Sequence, residues 1–280
     1  MTQARAAKRL FVLLLLALLQ GCSATRVAYD NADVFLRWQA NSYFDFRGEQ
    51  SEELDHRLAA FLAWHRAKAL PQYAQLAEDA SARMLRGVKR EDLEWGYDAV
   101  QAQIREALGA AAAEAAGLLD LLGADQITHF EQRLAEENRK FAKEQVQGTV
   151  EQRQQRRVKR NVERLEEWFG PLSDAQLERV RRYSARAPFS ADLRERDRKR
   201  RQAELLAMLR AREAKQRLAR WAGAWDSGRE RAYAEAARAT LAEYFDLLLD
   251  LDRMLTLEQR EHAAMRLKRY ASLSESLARQ

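Results

Sequence analysis

The sequence predicts an all-α protein, an antiparallel helical bundle built as one body or as two packed sub-bundles. Three observations predict it. Ala, Leu, Glu, Arg and Gln dominate the 280 residues, and all five are strong helix formers. Only 11 Gly and 3 Pro occur, few for a protein of hairpins and turns. Apolar residues recur three and four apart along most of the chain, and no stretch alternates with period two. Apolar residues make up 47%, enough to bury a sizeable core.

The elements follow in order. Asn31 is placed to cap a short helix over Ala32 to about Gln39. Ser51 is a better cap, with Glu52 and Glu53 suited to the helix dipole. From there Leu54, Leu58, Phe61, Leu62 and His65 form one apolar face, and Pro71 ends or kinks the helix at Leu70. A continuation carries Tyr73, Leu76, Met84 and Leu85 to Gly87. The next helix runs from Arg90 to about Leu122. Its small-residue middle, GAAAAEAAG at 109–117, lets a second helix approach closely. Ile127, Phe130, Leu134 and Phe141 mark another helix, and Val158, Val162, Leu165 and Phe169 the next, stopped by Gly170-Pro171. Ser173 opens a helix that stops before Pro188. Ser190 then caps a long segment to Ala222, followed by a turn from Gly223 to Gly228. Tyr233 to Leu251 and Thr256 to Leu277 complete the bundle, whose short connections favour antiparallel neighbours.

The first 22 residues read differently. Arg5, Lys8 and Arg9 precede Leu10–Leu19, an unbroken apolar run. A membrane span needs about 20 such residues, so the run is too short. It fits the apolar region of a signal peptide, typically about 7–15 residues. Leu19-Gln20-Gly21-Cys22 follows and resembles the lipobox of bacterial lipoproteins. The resemblance implies cleavage after Gly21 and a diacylglycerol on Cys22, the chain's one cysteine. Ser23, in place of the aspartate that retains such proteins in the inner membrane, implies sorting to the periplasmic face of the outer membrane. The rival reading is an ordinary signal peptide with a chance cysteine. The expected organisation is a signal peptide (1–21), a lipid-anchored tether with an aromatic segment (22–50), and a helical body (51–280) with a sub-boundary near 148–152.

Charge is uneven. Residues 22–150 carry 15 Lys/Arg against 21 Asp/Glu, and residues 151–280 carry 30 against 21. Two basic runs stand out: Arg153, Arg156, Arg157, Lys159 and Arg160, then Arg194, Arg198, Lys199, Arg200 and Arg201. In an exported protein these are candidates for lipid or lipopolysaccharide phosphates rather than nucleic acid. Interleaved acids make a solvated helix face the blander alternative. The aromatic stretch Tyr29, Phe35, Trp38, Tyr43, Phe44 and Phe46 could lie at a membrane interface. Asp30, Asp33 and Asp45 argue for packing onto the bundle instead.

Three helices begin alike, at Leu122-Gly-Ala-Asp-Gln126, Leu172-Ser-Asp-Ala-Gln176 and Leu255-Thr-Leu-Glu-Gln259. In the last two a hydroxyl caps the helix while the Gln reaches back, a capping box. The third fits the Leu-Thr-x-x-Gln motif of small helical periplasmic chaperones that respond to envelope stress. The second resembles it, and the first has Gly in place of the hydroxyl.

Catalytic patterns are not evident. Glu53-x-x-His56 has the spacing of one half of a di-iron carboxylate site, with no second copy. No phosphate-cradling Gly loop, cysteine metal site, nucleophile elbow or dinucleotide fingerprint occurs, and no cofactor or metal is expected. Tyr29-Asp-Asn31-Ala32-Asp33, Trp38, Tyr43-Phe44-Asp45 and Glu49-Gln50 resemble the opening of a family of uncharacterised lipoproteins from Gram-negative bacteria. The likeness continues at Trp64-His65-Arg66, Leu70-Pro71, Asn161-Val-Glu-Arg164 and Pro188-Phe189. It departs at Asp30, where the family often has asparagine. It brings no established activity.

The expectation is therefore a lipid-anchored, non-enzymatic binding, scaffold or chaperone-like protein of the outer-membrane envelope. Its partners would be the membrane through Cys22, and envelope proteins or anionic lipid. One alternative is a hydrolase of envelope glycan or lipid using acids such as Glu53 or Glu94. The other is a purely structural tether.

Overall fold

The computed structural model describes residues 26–188 and 190–280. Gly21, Cys22, Ser23 and the signal region lie outside the described residues, as does Phe189. Eleven α-helices and no strand occur among the described residues, so the chain is an all-α bundle. They are α1 (Ala32–Phe44), α2 (Glu49–Trp64), α3 (Leu70–Leu85), α4 (Arg90–Leu119), α5 (Ala124–Phe141), α6 (Val150–Phe169), α7 (Asp174–Arg186), α8 (Ala191–Ala211), α9 (Ala214–Gly223), α10 (Arg231–Met254) and α11 (Leu257–Ala278). Two π-helical turns, His65–Ala69 and Ala142–Val146, join α2 to α3 and extend α5. No described helix is long and apolar enough to cross a membrane.

Two buried cores organise the bundle. One gathers Phe46 from the loop before α2 with Leu54, Leu118, Phe130, Leu209 and Leu218 from α2, α4, α5, α8 and α9. The other gathers Leu165, Val180, Tyr183, Leu247, Leu251 and Ala263 from α6, α7, α10 and α11. The alanine-rich stretch of α4 does what its small side chains allow. Ala112 and Ala116 are buried, α9 lies close against α4, and Gly117 faces the Lys215 side chain. Asp120, just after α4, caps α9 by accepting from the Ala214 and Lys215 N–H groups at 2.7 and 3.2 Å.

Several local expectations are corrected. α1 continues to Phe44, and Asn31 does not cap it; its amide donates to the Val27 carbonyl at 2.8 Å. α2 starts at Glu49, ahead of Ser51, whose hydroxyl donates to the Phe46 carbonyl. The helix does not end at Pro71. Leu70 N–H bonds to His65 O, five residues back, and this wider turn absorbs the donor that proline lacks. The segment from Ser190 to Ala222 is two helices, broken where Arg212 adopts a left-handed φ of 56°. Ser190 makes no side-chain cap. The aromatic stretch packs only in part. Tyr43, Phe44 and Phe46 join the first core around Phe130, whereas Phe35 and Trp38 stay exposed on α1.

Candidate functional site

One cleft is almost wholly apolar. It has a volume of about 580 Å³ and opens along the seam between α3 and α4, with Phe61 of α2 and Leu267 of α11 completing its walls. Its lining combines the rings of Phe61, Tyr73 and Trp95 with Leu76, Val100, Ile104 and Leu108, and with the small residues Ala77, Ala80, Gly96, Ala107 and Ala111. Gln103 is the one amide side chain in the wall, and it donates to Gln72 across the seam at 2.7 Å.

The sequence explains why the seam stays open. At one end α3 and α4 are latched by polar groups. Buried Asp92, at the start of α4, accepts from Arg83 at 2.6 Å, from Arg86 at 2.7 and 2.9 Å, and from the Lys89 N–H at 3.0 Å. The Arg86 guanidinium, aided by Lys89 N–H and Arg83, holds this carboxyl well below the usual carboxylate range despite its burial. Arg83 in turn lies 4.0 Å over the Trp95 ring and fixes one wall. Beyond the latch, alanines at 77, 80, 107 and 111 face a gap that larger side chains would fill. α3 is drawn to the other side, where the Ser81 hydroxyl donates to the Ala264 carbonyl of α11 at 2.9 Å.

A polar cluster sits beside the cleft. The His65 ring touches Phe61 and Tyr73, both wall residues, with centroids 6.0 and 5.5 Å away. Tyr29 Oη lies 2.9 Å from His65 Nδ1, and Arg66 lies over the Tyr29 ring. Burial, then the nearby Arg66 charge, lowers the His65 pKa. In the neutral ring protonated on Nε2, the phenol donates to Nδ1. Burial raises the Tyr29 pKa, opposed by Arg66. Tyr29 and Trp64-His65-Arg66 are separate blocks in the sequence, and the fold joins them.

The ten basic candidates divide by position. Arg157, Arg160 and Arg194, from the two different runs, line a small cavity of about 150 Å³ with Phe141, Gln145, Ser190 and Ala191. Arg157 donates to the carbonyls of Ser184, Ala187 and Pro188 and so closes the end of α7. Arg194 lies over Phe141. Among the described residues Arg160 and Arg194 form no ion pair, and burial, then Arg156 and Arg164, lowers the Arg160 pKa. The other candidates are engaged elsewhere. Arg153 and Arg156 bond to the Val146 and Gln147 carbonyls, and Arg198 to Asn138. Lys159 pairs with Glu163, Lys199 with Glu195, and Arg200 with Asp197 and Glu204. Arg201 lies on the Trp221 ring and bonds its carbonyl.

The shared helix starts form two equivalent clasps. Gln176 donates to Met254 O and to Gln259 Oε1, while Gln259 donates to Pro171 O and back to Gln176 Oε1, all within 2.8–3.2 Å. Gln126 makes the same pattern with Gln50, a residue that the sequence marks only as part of the family likeness and not as a member of the repeat. Gln126 donates to Asp45 O and Gln50 Oε1, and Gln50 donates to Leu121 O and Gln126 Oε1. In every case the carbonyl lies five residues before the partner glutamine. The Gln50 amide oxygen accepts from Arg47 N–H, as Gln126 does from Gly123, Gln176 from Ser173 and Gln259 from Thr256. Phe46-Arg47-Gly48-Glu49-Gln50 is thus a fourth copy, hidden because Phe46 and Arg47 stand where the other copies have leucine and a small or hydroxyl residue. Thr149 with Gln152 is a further capping box that sequence reading passed over.

Neither half of a metal or acid site develops. Glu53 pairs with Arg57, His56 and Glu94 are exposed, and no cluster of three or more His, Cys, Asp or Glu residues occurs among the described residues. Residues 42–224 match the model of a family of unknown function (DUF6279). No curated protein and no solved structure matches the chain.

Proposed function

The chain belongs to this family of unknown function, and we propose a role from its own residues: a lipid-anchored, non-enzymatic binding protein of the periplasmic face of the outer membrane, which holds apolar side chains of partner polypeptides in the α3–α4 cleft. The observation that carries the reading is the cleft itself, almost wholly apolar and kept open by alanines between polar latches. Each partner side chain of leucine or phenylalanine size buried there contributes about 1.5–3 kcal/mol. Few polar groups fix direction, which suits a tolerant, chaperone-like binder better than a site built for one substrate. A hydrolase would need an acid or nucleophile facing its substrate, and the cleft lining contains no carboxylate, histidine or hydroxyl other than Tyr73. The anchor rests on the succession of a basic head, an apolar run and a lipobox-like segment ending at Cys22 in the sequence.

The test is suppression of client aggregation by the full chain in nonionic detergent, compared with Ala107→Phe, which places a ring in the cleft. The wild type is expected to hold light scattering of a thermally unfolded client down. Ala107→Phe is expected to lose that effect while keeping or raising its melting temperature, since a cavity is filled. Equal suppression by both, or by neither, would contradict the reading.

The cavity between Arg160 and Arg194 supports an anionic partner as well. Binding of the unlipidated body to vesicles containing anionic lipid is expected to weaken with salt and to fall in Arg160→Ala/Arg194→Ala. Binding unchanged in that double variant would remove the cavity from the account.

A further inference from the structure

α1 and the helical residues just before it carry two apolar faces. Tyr29, Leu36, Ala40 and Tyr43 are partly buried on the inner one, against α2 and α5. Val27, Val34, Phe35 and Trp38 stand on the outer one, exposed at 60, 62, 58 and 63%. At 100° per residue Val34, Phe35 and Trp38 fall within a single stripe of α1 about 100° wide, away from the packed face, and Val27 is exposed on the turn of helix just before it. The Phe35 and Trp38 rings lie together at 6.1 Å. A helix apolar on both sides has a partner on each, and here the outer one is not protein among the described residues.

We infer that this outer face of α1 lies in the headgroup layer of the bilayer that holds the lipid on Cys22. The inference rests on the proposed anchor. Val27 stands five positions after Cys22. A fully extended chain of that length spans at most about 18 Å, so the anchor confines Val27, just ahead of the stripe, to the bilayer surface. The stripe then runs along the helix rather than away from it. Tryptophan and phenylalanine beside aliphatic residues suit the interface, where an amphipathic helix sinks roughly 5–10 Å. The flanking charges set that depth. Asp30 stands beside Arg26, and Arg37 pairs with Asp55 at 2.9 Å, so neither need enter hydrocarbon. The body would then be held flat against the membrane instead of swinging on a free tether.

The test uses the mature lipidated chain in vesicles whose lipids carry bromine near the headgroup, with flotation measured on the same samples. The wild type is expected to float, with tryptophan emission shifted to the blue and partly quenched. Trp38→Phe, which leaves five tryptophans, is expected to float equally and to lose both the shift and the quenching. Flotation with equal quenching in the two chains would overturn the inference and leave the anchor standing. Failure to float would overturn the anchor, and the inference with it. Concentration-dependent crosslinking through α1 without vesicles, with no quenching in them, would give the face to a second copy and overturn the inference.

Discussion

The two glutamine clasps share one geometry and differ in chemistry. The second, Gln176 with Gln259, is flanked by Ser173 and Thr256, whose hydroxyls each accept from the glutamine's own backbone N–H. The first, Gln126 with Gln50, is flanked by Gly123 and Arg47 and has neither hydroxyl. Both hold. What they have in common is the pair of carboxamides and the carbonyl five residues before each partner. The hydroxyl is therefore an addition to the helix start, and the long-range bond belongs to the glutamine. Each clasp ties two helix starts far apart in sequence: α2 to α5 in one core, α7 to α11 in the other.

The largest effect should come from removing the buried member of a clasp. Gln176→Leu leaves Met254 O, Ser173 N–H and Gln259 unmatched, and Gln126→Leu does the same to Asp45 O, Gly123 N–H and Gln50. Each should cost about 2–3 kcal/mol by denaturant unfolding. A small cost at one clasp only would break the equivalence. Next, Ser173→Ala and Thr256→Ala should each cost about 1 kcal/mol, through the cap alone. Neither clasp titrates, so pH dependence must arise elsewhere, and His65 is one source. Its folded pKa lies below its unfolded value because burial and Arg66 disfavour the charged ring. Its contribution is present above the unfolded pKa and lost as pH falls through that value toward the folded one. Melting temperature should therefore drop more between pH 7.5 and pH 5 (roughly one unit either side of the unfolded pKa) in the wild type than in His65→Gln. Parallel curves would contradict this. The smallest effect is a gain: Gly123→Ser, which adds the missing hydroxyl at a backbone already in cap conformation, should stabilise by a few tenths of a kcal/mol. The added Cβ must displace the Asp125 carboxylate, the end of a flexible side chain.

Much of the bundle was legible because helix periodicity is local. The caps at Ser173 and Thr256 and the stops at Gly170 and before Pro188 all stand where the sequence puts them. The close approach at 109–117 was legible too, since alanine and glycine leave no alternative. Part of what failed was decided at a distance. Arg212 breaks the expected long helix where Asp120, some ninety residues earlier, captures the next helix start. Pro71 passes into a helix because a wider turn was available before it. Gln50 was invisible as a motif because Phe46 and Arg47 share no side chain with leucine and threonine. The cleft could not be read either. Its wall residues resemble any apolar helix face, and only the placement of α3 toward α11 shows that no neighbour fills it. The basic runs were legible as charge but not as a site, because nine of the ten side chains are engaged by acids, carbonyls, an amide or a ring within the fold.

Titration with a peptide carrying a brominated phenylalanine, read by quenching of Trp95 emission as the difference between the wild type and Trp95→Phe, tests the cleft most directly. The account predicts saturable quenching that Trp95→Phe removes and Ala107→Phe abolishes. Saturable quenching that survives Ala107→Phe unchanged, or none in the wild type, would contradict it.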